Sequence, residues 1–183
     1  MDLNSPVGKA LALVSLALVS VWMFRSKRPS KNFSLEELTV TNTGCPNQPN
    51  QTELANLSRL ANSVLEPIRA EFGPIRVTSA FRSRETNDAV NGAKNSDHLT
   101  GLGADIYATS GATTTDLATW LYSNPDIPVR QVIVYPETTG HLHVAMDTGQ
   151  PPYTRQFLKK HARRQSNGKY YSAWQPTNWR RLV

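Results

Sequence analysis

One cysteine, Cys45, stands in the 183 residues, so no intramolecular disulfide framework can staple the chain. It lies in a Gly-Cys-Pro turn with no catalytic motif around it, which marks an indifferent thiol rather than a nucleophile. No segment repeats, which excludes a solenoid or a propeller. No acidic residue occurs in 153–183, which excludes an acidic tail. Long apolar runs are missing after residue 24, so only the N-terminal end could enter a bilayer. What is present is ordinary for a globular protein: 39% hydrophobic and 8% aromatic residues, enough for one modest domain with a core.

Charge is unevenly placed. Residues 1–33 carry five Lys/Arg and one acid, 34–152 carry seven and 13, and 153–183 carry eight and none. An acidic body thus lies between basic ends, and basic ends suit an anionic partner such as phospholipid, wall polymer or nucleic acid. Near the C-terminus Tyr170, Tyr171, Trp174 and Trp179 are spread among Lys169, Arg180 and Arg181. Aromatics among cations grip bases, sugars or a membrane interface, or fold back on the body. No nucleic-acid module is recognisable, so no specific nucleic-acid partner is expected.

Val7–Phe24 is almost wholly apolar, with Lys9 near its start able to snorkel; the uncharged part, Ala10–Phe24, has 15 residues. Such a run serves as a membrane anchor, a cleaved signal or a buried helix. A helix apolar all round has no use in a small soluble domain, and no Ala-x-Ala-like site follows, so an anchor through residues 7–24 and a single-pass membrane protein are expected. The cations that follow, Arg25, Lys27, Arg28 and Lys31, would hold the body on the cytoplasmic side, whereas a wall-cleaving enzyme needs the other side.

Further along, Ser34-Leu-Glu-Glu37 is a capping-box pattern opening a short helix, and Thr41–Gln51 is loop. Thr52–Phe72 places Leu54, Leu57, Leu60, Val64, Leu65 and Ile68 at helical spacing, with Gly73-Pro74 ending it. Ile75–Ala80 reads as a strand, Arg84–Asn91 as a short helix, Gly92–Ser96 as a loop, Leu102–Ala108 as a strand and Thr113–Ser123 as a helix. Val129–Tyr135 and His141–Met146 read as strands of an antiparallel hairpin. Gln150-Pro-Pro breaks structure, and Phe157–Gln165 reads as a basic helix. The predicted fold is α+β, a small antiparallel sheet flanked by helices with an N-terminal transmembrane helix. Three parts follow: an anchor and basic linker at 1–32, a globular domain at 33–149 and a basic aromatic tail at 150–183.

Two pieces carry chemistry: Ser96-Asp-His98-Leu-Thr-Gly101-Leu-Gly103-Ala-Asp105 and Glu137-Thr-Thr-Gly140-His141-Leu-His143. His98, Asp105 and His143 are two imidazoles and a carboxylate, types that zinc accepts, and three ligands leave a fourth position open. His141 and His143 lie two apart in an apolar run, so a strand would turn both to one face. Taken singly, each also fits a bland role, as polar strand-face or loop residues.

Together, Ser-x-His-x-x-Gly-x-x-x-Asp and a distal His resemble the zinc D-Ala-D-Ala carboxypeptidase family, which includes phage L-Ala-D-Glu endolysins and the hedgehog signalling domain. Glu-x-x-x-His-x-His is similar to the hedgehog version. The resemblance runs roughly from Phe33 to Asp147 and takes in Phe33-Ser-Leu-Glu-Glu-Leu and Val77-Thr-Ser-Ala-Phe-Arg-Ser-Arg-Glu-Thr-Asn. It implies that His98, Asp105 and His143 hold one zinc per chain and that Arg82 contacts a substrate carboxylate. Two positions depart from the family. The acid that many members carry three residues before the last ligand is Gly140 here, and the Ala two residues after the motif glycine is Gly103.

Hydrolysis also needs a base and an oxyanion stabiliser, for which Glu137 and His141 are the candidates. Arg82 suits bidentate capture of a free carboxyl group, or a structural ion pair. Ser96 either supports its loop or contacts substrate. The function implied is a zinc peptidase acting on peptidoglycan stem peptides, a D,D-carboxypeptidase or an endopeptidase, with a phage lysis or entry enzyme as one form. The rivals are a binding module that keeps zinc without hydrolysis and a membrane-anchored virion structural protein.

Overall fold

The computed structural model describes residues 28–135, 140–161 and 171–175. Ser34 caps the short helix α1 (Leu35–Leu38) by accepting from the Glu37 amide, as its sequence pattern predicts. Asn50 and Glu53 form a capping box that opens α2 (Gln51–Leu60). The chain then runs through a π-helical stretch, Ala61–Leu65, into α3 (Glu66–Phe72), which ends at Gly73 with φ 75°. Leu57, Leu60, Val64, Leu65 and Ile68 along this rod are fully buried. Each such side chain contributes about 1.5–3 kcal/mol of transfer free energy.

The strands are β1 (Ile75–Ser79), β2 (Gly103–Ala108), β3 (Val129–Val134), β4 (Leu142–Met146), β5 (Gln156–Lys160) and β6 (Tyr171–Ala173), in the order β1-β2-β4-β3-β5-β6. Between them lie α4 (Arg84–Ala89), a 3₁₀ turn (Asp97–Thr100) and α5 (Thr114–Ser123), which packs on β2, β3 and β4. Alternation along the central strands separates two faces. Ala104, Ile106, Val132, Val134, Leu142 and Val144 join the main core. The opposite face carries Asp105, His143 and Ile133, aligned across β2, β4 and β3. All five residues of β4 are buried, which is why its sequence reads as a nearly continuous apolar run.

Two expectations about architecture are corrected. The sheet is not wholly antiparallel, because β5 runs parallel to β3. The basic helix expected from Phe157 is a strand as far as Lys160. Phe157 is buried against Tyr122 and Trp174, and this contact favours the extended chain. The transmembrane helix, and with it a single-pass membrane protein, is also set aside. No helix among the described residues is long and apolar enough to cross a membrane. Residues 7–24 lie outside the described residues. Within them the uninterrupted uncharged stretch Ala10–Phe24 has 15 residues, which as a helix would span roughly 22 Å, short of the roughly 30 Å hydrocarbon core.

Candidate metal centre

Asp105 and His143 are direct cross-strand partners in the antiparallel β2–β4 pair, so the ladder itself places their side chains side by side. His98 arrives from the 3₁₀ turn before β2. Gly101 makes that approach possible. It sits at φ 72°, closes the turn with bonds from its amide to the carbonyls of Asp97 and His98, and lies against α2. A Cβ there would be 2.8 Å from the Glu53 carbonyl oxygen and 3.2 Å from Leu57 Cγ. The Asn56 side-chain amide donates to Thr100 O at 2.9 Å, so α2 buttresses the turn that holds the histidine.

This contact gives the motif glycine a physical reason and a test. Gly101→Ala adds left-handed strain to a clash with backbone and is expected to cost about 2–3 kcal/mol in urea unfolding. Gly103→Ala should cost less. Its Cβ would meet Asp97 Cβ at 3.0 Å and His98 N at 3.1 Å, and no positive φ is involved.

The three candidate ligands converge. One donor atom from each of His98, Asp105 and His143 lies within 4.8 Å of the others, and their side chains are largely buried. His143 Nδ1 is 2.9 Å from Asp105 Oδ1, and His98 Nε2 is 3.4 Å from the same oxygen. Tetrahedral ligands at 2.0–2.1 Å from zinc lie roughly 3.3 Å from each other, so the triangle has the right size. His98 Nδ1–H donates to Ala80 O at 2.6 Å, which fixes the tautomer and turns the Nε2 lone pair inward. Arg82 Nη2 donates to Asp105 Oδ2 at 2.6 Å, leaving Oδ1 to face both imidazoles.

Electrostatics agree with this use. Burial lowers the His98 pKa, against the pull of Asp105, and keeps the ring neutral and able to ligate. Burial alone would raise the Asp105 pKa. The two neighbouring imidazoles, His143 foremost through its hydrogen bond, outweigh it and hold the carboxyl well below its ordinary range, hence ionised. A neutral imidazole beside a fixed carboxylate is a cation site, and the donor set fits zinc.

The centre opens on a cleft of about 560 Å³, lined by Arg82, Ser96 and His141 among others. The Arg82 fork is turned inward: besides Asp105, its Nε donates to Ser79 Oγ at 2.8 Å, and its amide donates to His98 O at 3.0 Å. The His141 ring stacks on Tyr135, with centroids 4.0 Å apart. Glu137, the expected base, lies outside the described residues. Tyr135, Leu158 and Tyr171 are among the cleft residues that the sequence did not assign to the site. Tyr135 keeps the parity of Ile133 just past β3, a signal alternation could have supplied. Leu158 and Tyr171 reach the cleft only through the pairing of β5 and β6. Burial and the adjacent Tyr171 push the Tyr135 phenol pKa above its ordinary value, so it stays a donor.

Two imidazoles and one carboxylate at a cleft, with a carbonyl and a guanidinium orienting them, form a donor set that could hold one metal ion, of the kind mononuclear metallohydrolases use. The family model for peptidase M15 matches residues 31–145, which include all three candidate ligands. The chain belongs to that family, the zinc D-Ala-D-Ala carboxypeptidase and hedgehog-like group, and its domain is that of a metallopeptidase. No curated protein matches the chain.

Proposed function

We propose that the protein hydrolyses peptide bonds in peptidoglycan stem peptides, as a D,D-carboxypeptidase or an endopeptidase. The observation that carries this is the His98–Asp105–His143 triangle, built to ligand spacing and open to a peptide-sized cleft. When bound, zinc supplies Lewis acidity toward a peptide carbonyl and acidifies water at neutral pH.

The chain's own residues do the rest. Glu137 takes the proton of the attacking water and delivers it to the leaving amine. His141, on the cleft side of β4, donates to the developing oxyanion. Arg82 fixes the Asp105 carboxylate, and Arg82 and Ser96 both line the cleft where substrate would be held. Mass analysis of muropeptides before and after incubation with the zinc-loaded protein tests the proposal. Loss of a terminal residue identifies a carboxypeptidase, and internal cleavage identifies an endopeptidase. An unchanged muropeptide profile would sink the stem-peptide assignment.

A further inference from the structure

Beyond residue 145, where the family match ends, the chain adds β5 and β6 to the sheet edge next to the centre. The register carries the cleft face onto this hairpin. Ile133, which lines the cleft, is opposite Leu158, and Lys160 two residues on is opposite Tyr171. Leu158 and Lys160 therefore share the face that looks toward the ligands. The Lys160 ammonium lies 4.6 Å from the Tyr135 ring centroid and 5.9 Å from that of Tyr171, between two rings that line the cleft. No acidic side chain among the described residues pairs with it. Arg82, a cation that lines the cleft, has two donors committed to Asp105 and Ser79.

We infer that Lys160, held between Tyr135 and Tyr171, is the receptor for a substrate carboxylate, and that the β5–β6 hairpin forms a specificity subsite. Two faces of π density attract the ammonium and limit its rotamers without neutralising it, so less ordering remains to be done when an anion arrives. β5 is two strands from β4, roughly 10 Å across the sheet. That distance corresponds to about three residues of extended peptide. The recognised carboxylate is then not at the scissile bond but two to three residues from it, which suits peptides bearing several free carboxyl groups. The substrate class rests on the stem-peptide reading; the anion preference does not.

The test is equilibrium binding of two labelled probes to the zinc-loaded full chain: a stem pentapeptide with free carboxyl groups and its fully amidated form. The free form is expected to bind about tenfold tighter, as one charge-assisted contact would give. Lys160→Gln should bring the ratio close to one by weakening only the free form, and Lys160→Arg should restore it. An undiminished ratio in Lys160→Gln overturns the assignment. So does an equal loss for both probes, which would mark Lys160 as structural support. Hydrolysis is followed separately. A wild-type chain that prefers the free form but cleaves neither probe supports the anion subsite and refutes the stem-peptide reading.

Discussion

His143→Ala is expected to strip the protein of zinc and of peptide hydrolysis together while leaving the fold in place. His143 is one of three side chains that could hold the ion, and alanine leaves a two-ligand site on a partly open face. Removing only an outer-shell partner typically costs roughly 10–100-fold in metal affinity, and removing a ligand should exceed that. The fold has reason to survive. Asp105 keeps its ion pair with Arg82 at 2.6 Å, so no buried carboxylate is left without a partner. Backbone pairing of β4 with β2 and β3 does not use the imidazole. Metal analysis should fall from near one zinc per chain to a small fraction, with an unchanged far-ultraviolet spectrum. Equal zinc in the variant and the wild type would mean that the ion sits elsewhere.

The convergence of the three candidate ligands was legible because their constraints are local or strictly periodic. His98 and Asp105 sit on either side of a glycine that only a left-handed turn explains, and His143 lies in an apolar run that alternation turns to one face. Strands β1 to β4 and the long helical rod follow the same logic, since burial of Leu57 to Ile68 repeats at helical spacing. What sequence could not show was pairing across distance. Phe157–Gln165 reads as a basic helix until Phe157 meets Tyr122 and Trp174, and the chain is a strand from Gln156 to Lys160. Arg82 suits either a substrate carboxylate or a structural ion pair, and only the fold shows Asp105, 23 residues later, set against it. The apolar run at 7–24 invited a membrane helix through composition, although its uncharged length is short for one.

The proposed acid–base roles predict the other large effect. In many relatives an acid stands three residues before the last ligand. Here that place is Gly140, which has φ 66° and no side chain to move a proton. The flanking residues are pinned at the cleft, since the Tyr135 amide donates to His141 O at 3.3 Å and their rings stack. Glu137 itself lies outside the described residues; Tyr135 and His141, which flank its segment, both line the cleft. Glu137→Gln retains size and hydrogen bonding but removes the proton acceptor. Zinc content should be unchanged and kcat should fall by roughly 10²–10⁴. His141→Ala leaves the β3–β4 backbone pairing intact and removes one donor aimed into the cleft; kcat should fall by about 10²–10³ with KM little changed. The two variants together fix the roles. A glutamine at 137 that turns over at the wild-type rate, beside an inert alanine at 141, would reverse them and make His141 the base.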